Sequence, residues 1–382
     1  MMKKALLLLC LFLCACHACP LLPDTPITPG DFQLPATPAE RVWSAIPPLP
    51  PPDALRPCCA FGYNIRTKLL GVPVPFYQLS NTVDPDNTGK HHYIDSWKST
   101  LTTLMGINSE HNGIIYTRRG GFIDLAHVRD TADNTLWLFS QIWPVLGRAT
   151  TIKMSDELGQ RIIRLRQFSP PENTLARYNL SVSLAAYLAF QLAAWHEVAQ
   201  WYGFESVPGY PETVSAFSPE DLYSNLLGAR MATDILNAGG ASSLPQYQYS
   251  MAQMLPKALA QLQAVSPQAT RFHFDMLDGI WWNSHCRLPD KFLVRLRNYS
   301  VSHQRLPSRP ADTVPELWLT LPDHFDHRPL SQFARLEIWH GDHMANLPSP
   351  RLMYSDDDFA TLAQQAAKND HHTLAKIGNQ CD

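Results

Sequence analysis

The chain has 382 residues, a formal net charge of −3 and a charged fraction of 17%. This length accommodates one large domain or two ordinary ones. The charge is nearly balanced and no run of like charges occurs, which excludes the basic surface typical of nucleic-acid-binding proteins, so no nucleic-acid partner is expected.

Residues 1–15 have the organisation of an export signal. A positively charged start precedes an apolar core at residues 5–13, shorter than the roughly 20 residues that a membrane span needs. Leu13 to Cys16 resembles the lipobox of bacterial lipoproteins, which are cleaved before a cysteine that then carries lipid. The sequence therefore predicts lipidation of Cys16, with Cys19 or a simple secretory cleavage as the alternatives. His17 favours sorting to the outer membrane, with the protein facing the periplasm and anchored by its acyl chains.

The segment that follows, residues 16–55, is a proline-rich linker. It includes Pro50-Pro51-Pro52, and such composition keeps a chain extended and semi-rigid. We expect it to space a globular domain, residues 56–308, from the membrane.

Four cysteines remain beyond the signal and the linker, namely Cys58, Cys59, Cys286 and Cys381. Exported proteins fold in an oxidising compartment, where disulfides form. We therefore expect at least one of Cys58 and Cys59 to be oxidised. The sequence leaves the connectivity open.

Residues 56–308 have the pattern of a mainly helical α+β domain. Short strands are predicted at residues 71–77, 113–117, 150–154 and 160–167. Helices are predicted at residues 122–146, 180–201, from an N-cap at Ser218 to about Leu236, and 247–265. In the C-terminal extension, residues 309–382, strands are predicted at 317–319 and 336–339 and a helix at 357–368. The fold class is therefore a single α+β domain, mainly helical, with a small β-sheet.

The first group of ionisable residues lies on the first predicted helix. Asp124, His127 and Asp130 recur every three residues, which places them along one helix face. A histidine beside carboxylates either gains a proton or ligates a metal. The alternative is a solvated face on which Arg129 pairs with Asp133.

The second group is His196-Glu197, near the end of a long apolar helix. In zinc peptidases, an H-E-x-x-H helix places two histidines on one face and uses the glutamate as a base. Gln200 occupies the second histidine position here, so another nitrogen ligand would come from another helix, most simply from His127. The alternative is a helix end at which both side chains are solvated or capping.

The third group begins with Glu220, in the first turn of the helix predicted after residue 218. Carboxylates at a helix N-terminus are favoured by the helix dipole alone, which is the structural interpretation. In the functional interpretation, Glu220, Tyr223 or Asn225 faces the His196 group across the short loop.

Several long motifs resemble one known family. They are R-P-C-C-A-F-G at 56–62, R-G-G-F-I-D-L-A-H-V-R-D at 119–130, W-H-E at 195–197, and residues 218–228, 278–282 and 287–291. Together they resemble an uncharacterised bacterial envelope family, domain of unknown function 4056, over residues 56–298. The resemblance implies a lipoprotein or secreted protein of Gram-negative bacteria. It implies no activity and no catalytic residue.

These groups lead to one hypothesis for the site. His127, Asp130 and His196 would hold a divalent metal such as zinc, and Glu197 and Glu220 would act as catalytic carboxylates beside it. A bound metal would activate water for hydrolysis of an envelope peptide, lipid or glycan. The alternative is a non-catalytic envelope protein with a buried polar network or a partner surface. The membrane is the one partner that the sequence indicates, and protein partners are not identified.

Overall fold

The computed structural model describes residues 46–52, 56, 61–62, 66–69, 72–75, 82–95, 109–206, 209, 211–284, 290–341, 344–348 and 351–377. The predicted export signal and most of the proline-rich linker lie outside these residues, as does every cysteine of the chain. Lipidation of Cys16 and oxidation of Cys58 or Cys59 therefore remain predictions.

The described residues form six α-helices and twelve short strands. The helices are α1 Leu125–Ile142, α2 Thr174–Trp201, α3 Asp221–Asn237, α4 Leu244–Gln261, α5 Pro267–Leu277 and α6 Asp356–Ile377. The strands are β1 Arg66–Leu69, β2 Val72–Pro75, β3 Ile114–Thr117, β4 Gly121–Asp124, β5 Thr150–Glu157, β6 Gly159–Leu165, β7 Gln304–Arg305, β8 Leu319–Thr320, β9 His324–Phe325, β10 Arg328–Pro329, β11 Ala334–Trp339 and β12 Met353–Ser355.

The largest sheet has four antiparallel strands in the order β12-β11-β6-β5. The β5–β6 hairpin agrees with the two strands predicted around residues 156–159, and β11 agrees with the strand predicted at 336–339. In the register between β6 and β11, Ile163 lies opposite Leu336, and both side chains are buried. The segment after residue 308 therefore completes a sheet that begins near residue 150.

Helix α2 lies at the centre of the fold. Its apolar residues occur on all sides of the helix, which is typical of a helix that is buried all round. It packs against α1, α3, α6 and β11. The helix begins earlier than predicted, at Thr174, because the side chain of Asn173 caps it by accepting a hydrogen bond from the Ala176 N–H at 3.0 Å.

The start of α1 differs from the prediction of a helix from residue 122. Residues Gly121–Asp124 instead form β4, in which Phe122 pairs with Tyr116 of β3. The helix begins only after Asp124, whose Oδ1 accepts a hydrogen bond from the Ala126 N–H at 2.7 Å. Apolar spacing alone could not reveal this boundary, because both the strand and the helix are buried on every side.

The start of α3 also differs, since the prediction of Ser218 as N-cap is wrong. The N-cap is Glu220, which makes no capping hydrogen bond with its side chain, and the helix begins at Asp221. Before it, the chain turns with the Ser218 N–H bonded to the Ser215 carbonyl and with Phe217 at a φ of +56°. In this turn the Phe217 N–H donates to Oε2 of Glu197 on α2.

The predicted fold class is confirmed: the domain is α+β, with a core of helices and small antiparallel sheets. Among the helices described, none is both long and apolar enough to cross a membrane.

Candidate metal centre

Three side chains from three helices meet in the core, namely His127 of α1, Glu197 of α2 and Asp221 of α3. One potential ligand atom from each lies within 4.8 Å of the other two. The Nδ1 of His127 is 3.2 Å from Oδ1 of Asp221. All three residues are buried, with exposed fractions of 7%, 1% and 1%. We call this set the His127 cluster.

A serine joins the two helix N-termini that carry His127 and Asp221. The backbone N–H of Asp124 donates to Oγ of Ser224 at 2.9 Å. The same hydroxyl donates to the backbone carbonyl of Glu220 at 2.8 Å. Because Asp124 caps α1 and Glu220 precedes α3, this bridge fixes the first turns of both helices side by side.

The helices α1 and α3 also touch backbone to backbone farther along. A Cβ built on Gly228 would lie 2.0 Å from the carbonyl oxygen of Val128, so only glycine permits this approach. One turn beyond Val128, Oγ1 of Thr131 donates to Oδ1 of Asn225 at 2.6 Å. Asn225, one of the residues considered for the site, thus joins the two helices.

Glu197 is held by the turn that precedes α3. Its Oε2 accepts a hydrogen bond from the Phe217 N–H at 2.6 Å. The buried side chain of Arg297 fixes this turn by donating to the carbonyls of Thr213 and Val214, each at 3.3 Å. Burial and the neighbouring Asp221 carboxylate raise the pKa of Glu197 to about 8. A proton or a cation is therefore favoured at this carboxylate near neutral pH.

Glu220 is a fourth buried acid beside the cluster, with an exposed fraction of 1%. In the part of the chain that the structure describes, neither of its carboxyl oxygens has a hydrogen-bond partner. Burial, and then the charge of Asp221, hold its pKa well above the ordinary value. A buried carboxyl group with a raised pKa is suited to exchanging a proton with a ligand.

His196 contacts a different group from its neighbour Glu197. Its Nδ1 lies 3.3 Å from Oε1 of Glu157, and Arg161 forms an ion pair with the same oxygen at 2.8 Å. Burial alone would lower the pKa of His196, but the Glu157 carboxylate raises it to about 9. His196 is therefore a cation paired to the end of β5.

Asp130, the third residue of the hypothesised metal set, lies in a separate buried group. Its Oδ1 accepts a hydrogen bond from Nη1 of Arg56 at 2.5 Å. Arg56 also binds Glu110 through its Nε, at 2.8 Å, and approaches Asp133 at 3.1 Å. The side chain of Arg56 is fully buried, and three carboxylates surround it.

Further residues complete this group, which we call the Arg56 network. Nε2 of His91 lies 2.8 Å from Oδ1 of Asp133, and Arg129 lies 3.5 Å from Glu110. The interpretation of Arg129 and Asp133 as a solvated ion pair is wrong, because both are buried and each contacts residues from other segments.

The geometry brings together some of the residues singled out in the sequence and separates others. His127 and Glu197 lie in one cluster and Glu220 lies beside it, whereas His196 and Asp130 are engaged elsewhere. The third member of the cluster, Asp221, is absent from the site hypothesised from the sequence. Its signal in the sequence was a carboxylate in the first turn of a helix that follows the His196-Glu197 helix after a short loop.

The donor set of the His127 cluster suits a divalent cation. One imidazole and two carboxylates are ligands that Zn²⁺ and neighbouring first-row metals accept. The Asp221 carboxylate also has oxygens available for a cation. Both are buried, and within the described ranges neither accepts a hydrogen bond. Buried carboxylates of this kind are stabilised by a paired or bound cation.

Comparisons with known proteins identify one family. The family model with the description "Protein of unknown function (DUF4056)" matches residues 46–311. No curated protein and no solved structure matches the chain.

Proposed function

Since the chain belongs to the DUF4056 family, whose description states no activity, we propose a function from the site alone. The His127 cluster binds a divalent cation such as zinc, and the loaded protein hydrolyses a substrate in the bacterial cell envelope. The proposal of an envelope location rests on the export signal and on the lipobox-like sequence at Cys16.

One observation supports cation binding above the others. Ligand atoms of His127, Glu197 and Asp221 lie within 4.8 Å of one another, although the residues come from three separate helices. Two carboxylates this close repel each other and lose hydration on burial. A divalent cation between them relieves both costs.

A catalytic role is supported by the number of ligands. Catalytic zinc sites take three protein ligands and keep one position for water or substrate, whereas structural sites take four. When bound, the cation would supply an activated water as the nucleophile. Glu220 has two buried oxygens without hydrogen bonds to any described residue, and we assign to it the exchange of a proton with the bound ligand.

A structural cation site is the second candidate, and the low exposure of the cluster favours it. With Asp221 and Glu197 each 1% exposed, Glu220 would serve as a fourth ligand and close the site. In a structural site, the free energy of cation binding becomes folding free energy. Removing the cation would then lower the free energy of unfolding, whereas a catalytic site would lose activity with little change in the fold.

Calorimetric titration of metal-stripped protein with Zn²⁺ and with Mn²⁺ tests cation binding. Glu197→Gln and Asp221→Asn should each weaken binding by more than the roughly 10–100-fold that changes around metal ligands cost. His196→Gln is the matched control, because His196 neighbours Glu197 on the same helix but contacts Glu157. Equal affinity in the parent and in both cluster variants would contradict the proposal.

A further inference from the structure

Arg305 is a buried cation whose hydrogen bonds are incomplete. It lies in β7 with an exposed fraction of 3%. Its Nη1 donates to the carbonyl of Ser300, but its Nε is buried without a partner among the described residues. Leaving a buried charged donor without a hydrogen bond is costly. A ligand atom that accepts a hydrogen bond from this nitrogen would remove that cost.

The fold holds Arg305 one strand away from the helix that carries Asp221. In the β7–β8 pair, Arg305 lies opposite Leu319, and β8 packs against α3. The hydroxyl of Tyr223, on the first turn of α3, donates to the Leu317 carbonyl at 2.8 Å and fixes the segment that leads into β8.

The charge of Arg305 acts on the His127 cluster. Burial lowers the pKa of Arg305 to about 10, against the opposing effect of the Glu197 and Asp221 carboxylates. The guanidinium therefore stays protonated at neutral pH. A second buried arginine near these carboxylates, Arg297, lies 3.6 Å from Asp370, a carboxylate that also pairs with Lys291 at 3.1 Å.

A bound cation would leave the charge of Arg305 without compensation. It would neutralise Glu197 and Asp221, the two carboxylates whose charges act on the guanidinium. The buried Nε of Arg305 has no acceptor among the described residues, and the planar guanidinium suits an oxyanion. A buried charge without a partner is unfavourable, and an anionic ligand would supply that partner.

We propose that Arg305 binds an oxyanion, a phosphate or a carboxylate group, of the ligand that occupies the His127 cluster. The inference rests on the proposed function, because the bound cation is what frees the charge of Arg305 for a ligand. The substrate of the proposed hydrolysis would then be an anion.

The test is calorimetric titration of the Mn²⁺-loaded full-length chain with inorganic phosphate and, separately, with acetate. The parent should bind one of the two, and the preferred anion identifies the group. Arg305→Gln should weaken that binding by about tenfold or more, since a hydrogen bond to a charged group contributes about 1.5–3 kcal/mol. The same variant should retain or tighten Mn²⁺ binding, because a positive charge near the cation is removed. A merely structural role would weaken both.

Arg309→Gln is the matched control, because Arg309 lies on the same segment and pairs with Glu316 at 3.3 Å. It should leave anion binding at the parental level. If Arg305→Gln does not fold, anion binding is measured in Arg305→Lys instead. It keeps the charge but loses the planar fork, and should weaken anion binding several-fold.

Two results would overturn the inference: anion binding in Arg305→Gln equal to that of the parent, or binding of neither anion by the loaded parent. Failure of the proposed function is separate and shows itself as a parent chain that takes up no cation. In that case the metal-free chain is titrated with the same anions. Loss of binding in Arg305→Gln would then still support an anion site, and absence of binding in the parent would refute it.

Discussion

Gly228 lies so close to Val128 that a Cβ at residue 228 would approach the Val128 carbonyl oxygen to 2.0 Å. The contact joins α3 to α1. Val128 follows His127 directly, and Asp221 opens the helix that carries Gly228. The spacing between these two members of the His127 cluster is therefore set by a position at which only hydrogen fits.

Gly228→Ala should push α1 and α3 apart. Overpacking of a core typically costs 1–3 kcal/mol, and here the clash is with backbone, so we expect a loss of about 3 kcal/mol in the free energy of unfolding. Cation affinity should fall with it, because His127 and Asp221 separate. Urea denaturation and Zn²⁺ titration measure the two effects.

Gly239→Ala is the control for Gly228→Ala, because it adds backbone strain without separating α1 from α3. A Cβ at Gly239 meets nothing within 4 Å, but its φ is +75°, so alanine there costs about 1–2 kcal/mol. Its cation affinity should equal that of the parent. Unchanged cation affinity in Gly228→Ala would show that the close approach does not set the geometry of the cluster.

The Arg56 network should make the protein sensitive to acid. Burial alone would raise the pKa of Glu110, but Arg56 and Arg129 hold it well below the ordinary value of 4.5. The folded state thus binds this proton more weakly than the unfolded state does. Its contribution to stability is present above pH 4.5 and is lost as the pH falls further.

Glu110→Gln should lower the free energy of unfolding at neutral pH by about 3–5 kcal/mol, the typical cost of removing one partner of a buried ion pair. The loss of stability below pH 4.5 should be smaller in this variant than in the parent. Urea denaturation at a series of pH values measures both. Glu172→Gln, at an exposed position, is the control and should behave like the parent.

His303 should add a second, separate pH dependence to the free energy of unfolding. Its ring stacks on Tyr187 with the centroids 4.9 Å apart, and burial lowers its pKa from 6.5 to about 4. As the pH falls, the unfolded chain takes up the proton before the folded chain does. The contribution of His303 to the free energy of unfolding is therefore fully present above pH 6.5 and is lost as the pH falls to about 4. The loss is at most about 3 kcal/mol, at 1.36 kcal/mol per unit.

His303→Gln should remove the decline between pH 6.5 and 4, while His371→Gln, at an exposed position on α6, should retain it. Thermal denaturation across this range compares the two variants with the parent. The same decline in His303→Gln as in the parent would assign it to another group.

The predicted lipid anchor is tested by expressing the chain in bacterial cells. Cys16→Ser should abolish labelling with a radioactive fatty acid and shift the protein out of the membrane fraction, because the acyl chains supply the attachment. Cys19→Ser should remain labelled. The opposite result would assign the lipid to Cys19, and a parent without label would refute the anchor.

The sequence predicted which helices meet but not which side chains face each other. Ionisable residues in apolar helices need partners when buried, and this principle leads correctly to the packing of α1, α2 and α3. His196 and Glu197 differ by about 100° around their helix. Since α2 is apolar on all sides, no polar stripe in its sequence tells which of the two faces α1.

Asp130 shows that sequence spacing does not identify partners from distant parts of the chain. Its spacing from His127 on α1 is correct, but Arg56, 74 residues earlier, binds its carboxylate. Contacts over such a separation follow from the path of the intervening chain, which periodicity does not reveal. Arg305 was missed for the same reason, since it lies in a two-residue strand that has no signal of its own.

The most direct test of cation binding at the His127 cluster is the metal content of the folded protein. The parent, His196→Gln and Asp221→Asn are stripped with chelator, incubated with Zn²⁺, freed of excess by gel filtration and analysed by mass spectrometry for metal per chain. We predict one ion per chain in the parent and in His196→Gln, and little in Asp221→Asn. No retained zinc in a folded parent, or equal retention in all three, would contradict this prediction.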